Sequence, residues 1–72
     1  MITDKQLQEM FAYHTPRPEQ IPQYEAIRAG GLGLARLIME NTPACADQTA
    51  AIRKLREAIM TANAAIALGG LV

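Results

Sequence analysis

Residues Asp47–Leu68 read DQTAAIRKLREAIMTANAAIAL, with apolar side chains at Ile52, Leu55, Ile59, Ala62 and Ile66. Steps of three and four residues bring all five to one side of an α-helix, so the stretch predicts a long helix lying against another surface. From Ile59 to Leu68 nearly every residue is apolar or small, and a helix that is apolar all round is one buried on several sides. A 72-residue chain cannot surround such a helix by itself.

Chains of about 70 residues gain roughly 3–5 kcal/mol from a single core, and disulfides, metals or self-association commonly supply the rest. One cysteine, Cys45, allows no internal disulfide, and one histidine leaves no Cys/His set for a structural zinc. Self-association remains, so the chain is expected to form an obligate homo-oligomer. Aromatic residues stand only at Phe11, Tyr13 and Tyr24, while apolar residues make up 50% of the chain. Burial must therefore come from many small Ala, Ile and Leu contacts between close-packed helices.

Outward from the last helix, Gly69-Gly70 supplies a stop, and Cys45 occupies a cap position ahead of Asp47 and Gln48, which suit an electropositive first turn. Asn41-Thr42-Pro43 ends an earlier long helix that begins near Pro18 to Ile21 and tolerates Pro22 in its first turn. Its expected core face is Ile21, Tyr24, Ile27, Gly31, Leu34 and Ile38. Gly30, Gly31 and Gly33 lie mid-helix, each at about 1 kcal/mol relative to alanine, which suggests close approach of a backbone or a ligand there. Tyr13-His14-Thr15-Pro16-Arg17-Pro18 reads as a stiff extended connector. Before it, Thr3 and Gln6 have capping-box spacing for a short helix from Thr3 to about Ala12, with Leu7, Met10 and Phe11 as its apolar edge. The expected architecture is all-α: a short helix, a connector and a long antiparallel helical hairpin, in one domain covering residues 1–72.

Seven basic residues balance seven acidic ones, which argues against DNA or RNA as a partner, because phosphate-backbone binding draws on excess positive charge. No apolar run approaches twenty residues and no signal-peptide pattern opens the chain, so the expected location is cytosolic, away from membranes, with Cys45 reduced.

Few residues suggest chemistry. Gly31-Leu32-Gly33 lies inside a helix rather than between a strand and a helix, so it is no dinucleotide-binding fingerprint. Cys45 and His14 come without an orienting carboxylate or oxyanion donors. Glu40, Asp47 and Glu57 read as solvated helix-surface charges, with Arg53, Lys54 and Arg56 on the same helix as Glu57. No catalytic residue, metal ligand or cofactor site is expected. Asn63, flanked by alanines on a buried helix, must have its amide hydrogen-bonded; fixing register between helices is the commoner role for such a residue, and contact with a ligand is the other. Tyr13, held in a proline-stiffened segment, presents a flat face for a nucleobase, and Arg28 offers a fork for phosphate oxygens. Either residue alone is more commonly a packing aromatic or a solvated charge, so the residues by themselves leave function open.

The strings Phe11-Ala12-Tyr13-His14-Thr15-Pro16, Glu19-Gln20-Ile21, Tyr24, Ile27-Arg28, Ala51 to Met60, and Ala62-Asn63-Ala64-Ala65-Ile66-Ala67 together resemble one family over about Gln8 to Leu68. It is the family of small phage-encoded sponges that counter cyclic-nucleotide immune signalling in bacteria: the anti-CBASS sponges, with the anti-Thoeris sponges as relatives. The resemblance implies a homohexamer acting in the host cytoplasm. Its pockets, shared between protomers, would bind cyclic dinucleotides such as cyclic GMP-AMP and sequester them without cleavage. It also implies that Tyr13 and Arg28 hold base and phosphate, with His14 as a weaker neighbour. Cyclic trinucleotides are a second class of partner in the family, held near a threefold axis. Here that pocket departs from the pattern, because Gly30 stands where the family has a hydroxyl-bearing residue and no basic residue follows Arg56. Thr61 stands where many relatives have tryptophan. Two other readings are a sponge for cyclic ADP-ribose-type signals and a helical protein-interaction module that binds no nucleotide.

Overall fold

The computed structural model describes residues 1–70; Leu71 and Val72, the end of the expected domain, lie outside the described residues. Helix α1 spans Asp4–Met10, a single 3-10 turn covers Pro18–Gln20, α2 runs Ile21–Asn41 and α3 runs Ala46–Leu68. There is no strand among the described residues.

Each boundary follows from local chemistry. The Thr3 hydroxyl accepts from the Gln6 amide at 3.1 Å, and the Gln6 side chain accepts from the Thr3 amide at 2.9 Å, closing the capping box that the sequence spells out. Helix α1 ends two residues earlier than expected, at Met10. His14 Nε2 donates to the Glu9 carbonyl at 2.7 Å, satisfying one of the carbonyls that a helix end leaves open. At the start of α2 the 3-10 turn and Pro22 need no intrahelical donors. Cys45 is the residue before α3, in extended backbone and without a side-chain cap bond. Gln48 instead folds back, donating to the Thr42 carbonyl and hydroxyl at 3.1 Å each. Gly69 ends α3 in the left-handed region, φ 59°, its amide donating to Ala65 and Ile66.

Helices α2 and α3 form an antiparallel hairpin. The inward faces are the expected ones with one shift of register: Tyr24, Ile27, Gly31 and Ile38 are half-buried, but Ala35 takes the inward place and Leu34 points out, 48% exposed. Ile21 is likewise exposed. From 31 a step of three or of four keeps a residue near the same face, and the smaller side chain lies at the contact. On α3, Ile52, Leu55, Ile59, Ala62 and Ile66 are all half-buried. Gly31 packs directly under Ile59: a Cβ there would lie 2.8 Å from Ile59 Cγ1 and Cδ1. Nothing lies within 4 Å of a Cβ built at Gly30 or Gly33, so the close-approach reading holds within the chain for Gly31 alone.

The core is thin. Among the described residues no apolar side chain is fully buried, and the two buried residues are glutamines, Gln20 and Gln48. The accessible surface is 5772 Å², whereas a folded monomer of this mass exposes about 4,400 Å². The radius of gyration is 15.2 Å, against about 11 Å for a compact domain of this length.

Candidate functional site

The connector between α1 and α2 separates two cavities. One, of about 280 Å³, is lined by Pro16, Ile21, Tyr24, Arg28 and Asn63. The other, of about 460 Å³, is lined by Tyr13, His14, Thr15, Arg17 and Gln20 together with Ala67, Leu68 and Gly69 at the end of α3.

Gln20 holds the connector against the hairpin. Its Nε2 donates to the Ile66 carbonyl at 3.0 Å, and its Oε1 accepts from the Arg17 amide at 2.9 Å. Buried at 7% exposure, it spends both ends of its amide on backbone, so the segment carrying Tyr13 to Arg17 is fixed to α3. Pro16 and Pro18 limit what freedom is left.

In the smaller cavity Tyr24 and Arg28 stand one helical turn apart on α2, so they share a face. Arg28 makes no ion pair among the described residues, whose ion pairs are His14–Glu9 and Arg17–Glu19. Asn63 reaches the same cavity from α3, and its Oδ1 is buried without a hydrogen-bond partner. An unpaired guanidinium, an amide and the apolar surfaces of proline, isoleucine and tyrosine therefore converge. That set can accept an anionic group beside a flat, partly apolar body carrying hydrogen-bonding edges.

The sequence-predicted residues are divided between the cavities. Arg28 lines the smaller one, and Tyr13 and His14 the larger. Tyr13 is 86% exposed, so its ring is free to meet another surface. His14 is half-buried with its Nε2 engaged at the end of α1, which leaves it a supporting part. Within one chain Tyr13 and Arg28 do not meet in a common cavity. Tyr24, half-buried on the expected core face, also lines the cavity; its four-residue spacing from Arg28 is the signal in the sequence. Gln20 had no such signal, because its partner Ile66 lies 46 residues away.

The structure keeps Cys45 away from His14. Cys45 follows the C-terminal end of α2 and His14 precedes its N-terminal end, about 30 Å apart for a helix of this length. No group of three or more His, Cys, Asp or Glu side chains among the described residues could hold a metal ion, and no described helix is long and apolar enough to cross a membrane.

A family model described as "Acb2/Tad1, hairpin domain" matches residues 4–67. No curated protein and no solved structure matches the chain.

Proposed function

The chain belongs to the Acb2/Tad1 hairpin family, the anti-CBASS and anti-Thoeris sponges for cyclic nucleotide signals, and from that membership we propose that it binds cyclic dinucleotides such as cyclic GMP-AMP. It sequesters them intact inside the host cell, and so blocks CBASS signalling. The observation that carries this reading is the cavity in which an unpaired Arg28 stands beside Tyr24, Pro16 and Asn63. Arg28 takes a phosphate, and Tyr13 stacks on a base.

Because Tyr13 and Arg28 line different cavities of one chain, the working site takes Tyr13 from a second copy, with His14 nearby. Self-association is supported independently by the excess surface. The chain exposes about 1,400 Å² more than a monomer of its mass, above the roughly 800 Å² that each partner buries in a standard protein–protein interface. Leu32, Leu34, Leu37 and Met39 on α2, all exposed, are apolar surface of the kind that copies cover. A homohexamer of single-domain protomers fits this requirement. The role is sequestration rather than catalysis, and cyclic trinucleotides are secondary ligands at most, since Gly30 offers no hydroxyl.

The test is isothermal titration with 3′,3′-cyclic GMP-AMP, a cyclic tri-adenylate and a cyclic ADP-ribose isomer, with mass measured by light scattering. Tight dinucleotide binding by an oligomer, with unaltered ligand recovered after denaturation, is the expected result. A linearised product overturns sequestration. Heat from the cyclic ADP-ribose isomer alone assigns the chain to anti-Thoeris signalling, and silence from all three leaves a helical protein-interaction module.

A further inference from the structure

The hairpin carries a groove on the face that also holds Arg28. Two cavities, of about 330 and 360 Å³, share Met39 and Ile52 as walls, so they run into one another between α2 and α3. The floor is apolar, with Leu32 and Ala35 beside those two residues, and the rim carries Arg36, Arg53 and Arg56 against one acid, Glu40. None of the three arginines makes an ion pair among the described residues. Leu32 and Arg36 follow Arg28 at steps of four on α2, so the groove and the smaller cavity lie along one face.

Helix α1 offers the complementary surface. Its seven residues are too few for a helix to persist unsupported, yet none of them is buried. Leu7, Met10 and Phe11 are exposed, Phe11 at 85%. Asp4, Leu7 and Phe11 follow at steps of three and four and so share a side, which places two apolar groups in line with a carboxylate. The groove of the same chain is out of reach. Tyr13 and His14 lie against Ala67, Leu68 and Gly69 at the open end of the hairpin, whereas Leu32 stands twelve residues along from Gln20, about 18 Å up α2.

The register follows from the tether. Phe11 precedes Tyr13 by two residues of connector and Leu32 follows Arg28 by one helical turn, each a step of about 6–7 Å. A Tyr13 that meets Arg28 of another copy therefore sets Phe11 over Leu32. Asp4 to Phe11 and Leu32 to Met39 are equal lengths of helix, about 10 Å each, so Asp4 arrives beside Met39 and Ile52, where Arg53 stands on the rim.

We propose that α1 of one copy lies in the groove between α2 and α3 of another, antiparallel to α2, with Phe11 on Leu32 and Asp4 paired with Arg53. This docking carries Tyr13 to Arg28 of the second copy. The proposal rests on the reading above that a second copy supplies Tyr13, and it adds the surface that holds Tyr13 in place.

The test cross-links co-expressed full-length copies that carry different tags, both with Cys45→Ser. Phe11→Cys in one and Leu32→Cys in the other are expected to give a mixed disulfide dimer on oxidation, because a disulfide needs Cα atoms within about 7 Å. Phe11→Cys with Leu37→Cys, on the side of α2 opposite Arg28, is expected to give several-fold less. Asp4→Arg is expected to raise the concentration at which the assembly dissociates about fivefold, the scale of one exposed ion pair, and Arg53→Asp in the same chain is expected to restore it. Mixed dimer no greater than in the Leu37 control overturns the docking, as does an Asp4→Arg loss that Arg53→Asp leaves uncorrected. Titration of the wild type with 3′,3′-cyclic GMP-AMP keeps the two failures apart. Binding by an oligomer that gives no Phe11–Leu32 cross-link overturns the docking and leaves the sponge, whereas a cross-link without heat from the ligand supports the docking and overturns the dinucleotide reading.

Discussion

Gly31 on α2 and Ile59 on α3 set the spacing of the hairpin: a Cβ at Gly31 would lie 2.8 Å from both Cγ1 and Cδ1 of Ile59, closer than side chains tolerate. Replacing a mid-helix glycine by alanine ordinarily gains about 1 kcal/mol of helix propensity, whereas forcing an extra methyl into a packed contact costs about 1–3 kcal/mol. At this position the second effect is the larger.

Gly31→Ala is therefore expected to lower stability by about 1 kcal/mol in thermal or denaturant unfolding, and adding Ile59→Val, which removes the Cδ1 methyl, is expected to recover part of it. Gly33→Ala, with nothing within 4 Å in the chain, serves as the control. An equal response at both glycines would remove the Ile59 contact as the cause.

Tyr13→Ala and Arg28→Ala separate stacking from charge. A base stacked on an aromatic contributes about 1–3 kcal/mol, so Tyr13→Ala is expected to weaken cyclic dinucleotide binding at least about tenfold with the oligomer intact. Arg28→Ala is expected to weaken binding comparably and also to flatten its dependence on salt, because a phosphate contact is lost. Titrations at several salt concentrations check both, and an unchanged slope removes Arg28 from the phosphate.

A charge placed on the inward face of α3 tests the burial argument. Ile59 and Ile66 are half-buried already within one chain, and Ile59→Asp or Ile66→Asp puts an unpaired carboxylate against the hairpin. Light scattering is expected to show dissociation of the assembly, with loss of helical circular dichroism. An oligomer of wild-type mass would mean that this face of α3 supports no interface.

Gln20→Leu keeps the volume and removes the staple between the connector and α3. Losing the bonds to Ile66 and Arg17 is expected to cost about 1–2 kcal/mol. Faster hydrogen exchange or proteolysis confined to residues 12–20 is the checking measurement. Uniform change along the whole chain would place the role of Gln20 elsewhere.

The sequence made the long elements legible because their signals are local. The capping box at Thr3 and Gln6, the spacing of Ile52, Leu55 and Ile59, and the glycine stop at Gly69 each depend on residues within one or two turns. Leu34 was misplaced because steps of three and four fit the same periodicity, and only contact with α3 decides for Ala35. Of the candidate site, the sequence named residues but not their grouping: Arg28 lines the smaller cavity and Tyr13 the larger, a division that depends on how the connector crosses the hairpin. The buried glutamines gave no warning, since a polar residue that pairs with distant backbone looks in sequence like any surface glutamine.

Among the described residues only Gln20 and Gln48 are buried, so one hairpin has little to hold it at high dilution. When copies of the chain cover one another's apolar faces, mass action links folding to abundance. Its melting temperature then rises with protein concentration, and a freshly translated pool acquires binding capacity cooperatively, above a threshold number of chains rather than in proportion to each one made.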